Sequence, residues 1–124
     1  MLSKLKNLVC FEKITEIPEK YSGICTVTYS NSIFWIKNGK IHRENDLPAV
    51  ISFDGDGQTK QYQWVCDGER HRLYAPAVAT LLRSNDLSHL PTHQYWYKGE
   101  YFVEEQFWKL PEMQKHKLNS LVKL

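Results

Sequence analysis

Cysteine is scarce in this chain. There are three, Cys10, Cys25 and Cys66, and no C-x-x-C pair. An odd number without paired spacing excludes a disulfide scaffold and fits free thiols in a reducing cytoplasm. Cys25 and Cys66 lie in apolar, strand-like runs, where free cysteine is expected to be buried as a small hydrophobe. Long apolar runs are missing too, so nothing reaches the ~20 residues of a membrane span. The start, MLSKLKNLVCFEK, is interrupted by Lys4 and Lys6 and lacks the apolar stretch of a signal peptide. Charge of one sign is also lacking. From Tyr21 to Val103, eight basic residues face eight acidic ones, and the small excess sits at the ends, chiefly at Lys109, Lys115, Lys117 and Lys123. A nucleic-acid binder gathers Lys and Arg on one face, so the central region does not read as one.

Recognised catalytic patterns are absent as well. There is no G-x-S-x-G, P-loop or H-E-x-x-H. Asp54-Gly55-Asp56-Gly57 has no following twelve-residue calcium pattern. His89 and His93 stand four apart, but Leu90-Pro91-Thr92 between them opposes a helical pair that could join Cys66 and His71 on zinc. No metal and no cofactor are therefore expected.

What is present is enough apolar material for a core and a repeat. The chain has 124 residues, 42% of them hydrophobic, which suits one domain. FWIKNGKIHRENDLPAVI, from Phe34 to Ile51, aligns with QWVCDGERHRLYAPAVAT, from Gln63 to Thr80. The shared positions are Trp35 and Trp64, Gly39 and Gly68, His42-Arg43 and His71-Arg72, then Pro48 and Pro76, each followed by Ala-Val. The offset is 29 residues until the loop before Pro, which is one residue shorter in the second copy. A partial third copy, YWYKGEYF, places Tyr95 at the Trp position and Gly99 at the Gly.

Each shared element has a physical role. Asn38-Gly39 and Asp67-Gly68 fit two-residue turns that need positive φ at both positions, and Lys98-Gly99 fits less well because lysine resists that region. Aromatic and β-branched residues before each turn favour a pleated surface. Pro-Ala-Val suits the opening of a strand. About nine short strands follow at regular spacing. The fold class is therefore mainly β (α+β): an antiparallel meander of stacked β-hairpin repeats, with a short N-terminal helix and a C-terminal helical cap. A lead-in occupies 1–20, the hairpins 21–102 and the helical tail 103–124. The first helix rests on Leu2, Leu5, Leu8 and Val9 sharing one face. The tail rests on helix formers in Val103–Leu110, a stop at Pro111 and a new start there, with Met113, Leu118, Leu121 and Val122 as its packing stripe.

The pattern W-x-x-N-G-x-x-H-R-x-x-x-x-P-A-V resembles variant MORN-type repeats of uncharacterised proteins from T4-like tailed phages, and the segment from Lys13 to Gly23 resembles their lead-in. That resemblance implies stacked β-hairpins in a protein that works by contacting other macromolecules.

His42-Arg43 and His71-Arg72 could be acid/base groups with anion clamps. Because they recur with the hairpin, they are expected to be scaffold, with each His beside a Trp and each Arg bonded to carbonyls of the loop ahead of Pro. Trp35, Gly39, Pro48, Trp64, Gly68, Pro76, Tyr95 and Gly99 join them as repeat-structural residues. The interface candidates are Arg83, Asp86 and His89 in a loop that interrupts the repeat, Tyr97 and Tyr101 as strand aromatics, and Trp108, Lys115 and Lys117 in the tail.

The function expected is that of a non-catalytic module which binds and modulates a host protein, such as a defence or nucleic-acid enzyme, in the cytoplasm of an infected bacterium. Self-association is open, and neither a membrane nor nucleic acid is expected as partner. The alternative is a nucleic-acid accessory protein using the basic tail and exposed aromatics. A third possibility is a hydrolase or nuclease centred on His42 and His71.

Overall fold

A computed structural model of the protein describes residues 8–53, 59–82 and 93–122. Eleven strands and two α-helices lie within them. The strands are β1 (Val9–Phe11), β2 (Gly23–Val27), β3 (Ser32–Lys37), β4 (Lys40–Ile41), β5 (Val50–Phe53), β6 (Thr59–Gln63), β7 (Val65–Cys66), β8 (Glu69–Arg70), β9 (Val78–Leu82), β10 (His93–Tyr97) and β11 (Glu100–Phe102). The helices are α1 (Glu104–Trp108) and α2 (Pro111–Val122). The molecule is thus mainly β. A nine-stranded sheet runs β1-β2-β3-β5-β6-β9-β10-β11, with β4 on β3, and β7-β8 form a separate pair. Every pairing is antiparallel except that of β1 with β2.

Three tight turns follow from their residues. Asn38-Gly39 has φ of 50° and 78°, Asp67-Gly68 has 49° and 82°, and Lys98-Gly99 has 50° and 81°. All three occupy the left-handed region at both positions, as type I′ geometry requires. Lys98 adopts it although its side chain disfavours it, because its N–H is held by His71 (below).

The long sheet and the short hairpins exchange at the tryptophans. Trp64 N–H donates to Ala77 O at 2.8 Å, and Trp64 O accepts from His71 N–H at 3.1 Å. The chain therefore leaves β9 and turns to its own hairpin at that residue. The run from Thr59 to Cys66 accordingly makes two strands, β6 and β7.

The core is built from small and branched residues. Cys25, Ala49 and Ala77 have no exposed surface, and Ile33, Ile36, Val50, Val65 and Val78 are buried beside them. Cys66 departs from expectation. It is exposed, because alternation along β7 turns Val65 inward and Cys66 to the opposite face.

The N-terminal helix is also corrected where it is described. Val9 belongs to strand β1, in register with Cys25. A short helix has little stability alone, whereas β2 offers an open ladder and Phe11 packs edge-on to Tyr21 at 5.2 Å. Residues 2–7 of that expectation lie outside the described residues. In the tail, Phe107 and Met113 are fully buried. Phe107 meets Tyr95 of β10 at 4.9 Å, so α1 seats on the last hairpin. The side chains of Leu118, Leu121 and Val122 lie outside the described residues.

Candidate functional site

The His-Arg pairs make the joints between successive hairpins. His42 Nδ1 accepts the N–H of Asp67 at 3.1 Å, and His71 Nδ1 accepts the N–H of Lys98 at 2.9 Å. Each imidazole therefore holds the first residue of the next turn. The glycines beside these residues are held as well, since Gly68 N–H donates to Ile41 O and Gly99 N–H to Arg70 O, both at 2.9 Å. The same joint exists one step earlier with other residues: Asn38 N–H donates to Ser22 Oγ and Gly39 N–H to Tyr21 O. An imidazole that accepts at Nδ1 is neutral and carries its hydrogen on Nε2. Burial, with a smaller contribution from Lys98, depresses the pKa of His71 against the opposing pull of Glu112 and Glu69.

The arginines complete the joint. Arg43 lies 4.0 Å over the Trp35 ring and Arg72 lies 3.7 Å over Trp64. Arg43 Nη1 donates to Pro48 O and Arg72 Nη1 to Pro76 O, both at 3.1 Å. The guanidinium takes the indole face, where the imidazole was expected. The carbonyl it reaches belongs to the proline itself and not to the loop ahead of it.

Both pairs line one groove of ≈ 440 Å³, formed between the loop 43–47 and the loop 72–74. Its rim carries Leu47, 43% exposed, and Tyr74, 39% exposed. Asp46 bridges the two loops by pairing with Arg72, with Oδ1 at 2.9 Å from Nε and Oδ2 at 3.4 Å from Nη2. Its carbonyl accepts from Trp64 Nε1 at 3.1 Å. On the other side, Tyr74 stacks on His116 of α2 at 3.7 Å, and its N–H donates to Met113 Sδ. Recurrence had separated the two His-Arg pairs by hairpin. The fold instead brings them to a shared wall, with most of their polar atoms engaged in joining hairpins.

One polar atom there is left over. His42 Nε2 is buried with no hydrogen-bond partner, and Glu44 Oε1 stands 3.5 Å away. Glu44 is itself held by Lys37 at 2.7 Å, which keeps its carboxyl below the usual range. On the Nδ1 side, Asp67 Oδ1 is at 3.4 Å. Donor atoms of His42, Cys66 and Asp67 lie within 4.8 Å of one another.

The interface candidates scatter. Arg83, Asp86 and His89 lie outside the described residues. Tyr97 is half-buried with its ring 5.2 Å from His71, so it lines a joint. Tyr101 is 52% exposed at the last strand, edge-on to Trp96. Trp108 is half-buried against Phe107 and Tyr95. Lys115 is exposed, and the Lys117 side chain is outside the described residues. Leu47, Tyr74, Glu44 and Asp46 were missed as groove residues. The available signal was the extra residue before Pro48. It gives the first loop room for two consecutive left-handed residues, Asn45 and Asp46, which carry Asp46 across to Arg72.

No family model matches this chain, and no curated protein or solved structure matches it either. Among the described residues, no helix is long and apolar enough to cross a membrane.

Proposed function

We propose that the protein is a small non-catalytic interaction module, built on MORN-like hairpin repeats and encoded by a tailed phage. It binds and modulates a host protein, such as a defence or nucleic-acid enzyme, in the cytoplasm of the infected bacterium. One observation carries this. The groove is walled by both His-Arg pairs, yet their Nδ1 and Nη1 atoms are engaged in joining the hairpins, and the rim offers Leu47 and Tyr74 to solvent. Exposed apolar and aromatic residues beside a fixed polar frame suit an apolar anchor from a partner, since aromatics concentrate at protein interfaces.

The nucleic-acid alternative has less support. Arg43 and Arg72 are committed to carbonyls and indoles, and Lys109 faces Glu105 at 3.6 Å. The test uses the wild-type chain and Leu47→Glu/Tyr74→Glu as paired baits in host lysate, followed by titration of each purified candidate. A partner retained by the wild type and lost by the double variant, with affinity little changed by salt, is the expected result. A partner held equally by both baits would place the interface elsewhere. Binding of nucleic acid that collapses as salt rises would favour the alternative.

A further inference from the structure

We propose that His42 Nδ1, Cys66 Sγ and a carboxylate oxygen of Asp67 form a site for one zinc-class divalent cation, with Glu44 orienting the imidazole from its far side. This goes beyond the interaction reading and does not depend on it, because metal binding is measured with no partner present.

The geometry comes first. The three donors already lie within 4.8 Å of one another, and Asp67 Oδ1 is 3.4 Å from Nδ1. Tetrahedral zinc with these ligand types needs donor–donor edges of ~3.4–3.6 Å, from bond lengths of ~2.0–2.3 Å. One edge therefore has that length already, and binding further requires the imidazole to turn its Nδ1 lone pair from the Asp67 N–H, 3.1 Å away, to the cation. The donors sit on rigid supports. Cys66 and Asp67 stand at the end of β7 and in its turn, and His42 is pinned through its N–H to Trp35 O at 2.9 Å.

The unpartnered nitrogen supplies the second observation. Coordination at Nδ1 fixes the hydrogen on Nε2, which then points at Glu44 Oε1, 3.5 Å away. A carboxylate behind a metal-bound imidazole is the usual way to set its tautomer and raise its basicity. Lys37 holds that carboxylate in place. The metal displaces the hydrogen bond from Asp67 N–H. At 3.1 Å that bond is longer than its 2.9 Å counterpart at His71.

Comparison of the two joints separates site from scaffold. At the next joint Tyr97 and Lys98 stand where Cys66 and Asp67 do, and Leu73 stands where Glu44 does. The hairpin linkage therefore needs only the imidazole. The thiol and Glu44 occur at one joint alone, and joining the hairpins explains neither, whereas Asp67 also serves the Asp-Gly turn. A donor set of one sulfur, one nitrogen and one oxygen selects zinc-like ions over magnesium and calcium.

On binding, the cation loses waters and gains three protein bonds, and the thiol proton passes to solvent. The fourth position stays with water.

The test titrates the metal-free full chain with Zn²⁺ by calorimetry and with Co²⁺ by absorption. One equivalent bound, with a thiolate-to-cobalt charge-transfer band and tetrahedral visible bands, is expected. Cys66→Ser should abolish the band, and Cys10→Ser should leave it intact. Asp67→Asn keeps the turn, since Asn38 takes the same φ, and should weaken binding. Glu44→Gln should weaken it roughly 10- to 100-fold. Absence of saturable zinc binding, or a cobalt band that survives Cys66→Ser or disappears in Cys10→Ser, would overturn the assignment.

Discussion

Replacing Arg72 with alanine removes three interactions at once. The guanidinium covers the Trp64 ring at 3.7 Å, and its side chain is 18% exposed, so the cation–π contact is partly desolvated; such contacts contribute ~1 kcal/mol. The Nη1 bond to Pro76 O has a charged donor and is part-buried, which adds ~1 kcal/mol once water reaches the freed carbonyl. The pair with Asp46 adds only a few tenths, roughly 0.2–0.5 kcal/mol, because Asp46 is 62% exposed and screened. The expected loss is about 2 kcal/mol, or roughly 6–10 °C in Tm for a chain of this size. Urea unfolding followed by tryptophan fluorescence measures it, with the slope m unchanged and the midpoint moving by roughly 1–1.5 M. Arg72→Lys should recover little, since a point charge neither covers an indole nor forks between a carbonyl and a carboxylate. A double cycle with Trp64→Leu should return a coupling of about 1 kcal/mol. If Arg72→Ala left the midpoint within roughly 0.3 M of wild type, Arg72 would not be scaffold and an anion-binding role would have to be considered.

Three further outcomes are expected. His71 is depressed in the folded protein, so its contribution is complete above the ordinary value of about 6.5 and is lost as pH falls from there through the folded value; His71→Asn, whose Oδ1 accepts the Lys98 N–H at any pH, should flatten that stretch of the stability–pH curve. Gly39→Ala should cost several kcal/mol, because φ is +78° and the new Cβ would lie 2.6 Å from Glu19 Cα, whereas Gly68→Ala, at φ +82° with nothing within 4 Å, should cost only the ~1–2 kcal/mol of a left-handed residue. Chemical denaturation of both variants measures the difference. Phe107→Ala should cost ~3–5 kcal/mol in one cooperative transition, since the ring is fully buried against Tyr95; a second, separate transition would show that the helices unfold apart from the sheet.

The mainly β class, the three turns and the two tail helices could be read from the chain because each is written locally. Asn-Gly and Asp-Gly specify their turns by φ, and Pro111 stops one helix and starts the next. What could not be read depends on contacts distant in sequence. Val9 to Phe11 form a strand because β2 presents an open ladder, which no window around Val9 contains. Cys66 looked buried because its run is apolar, but the side it faces is set by the break at Trp64. The groove depends on Asp46 reaching Arg72 across 26 positions.

The link from each imidazole to the following turn also makes the length of the molecule adjustable. Every link reaches one neighbour and no further, so the segment 36–64 carries a complete plug at one end and a complete socket at the other. A second copy of that segment spliced in after Trp64 would offer Asn38 N–H to the preceding His42 and its own His42 to Asp67. The chain would then be one unit longer without any new chemistry at the junctions.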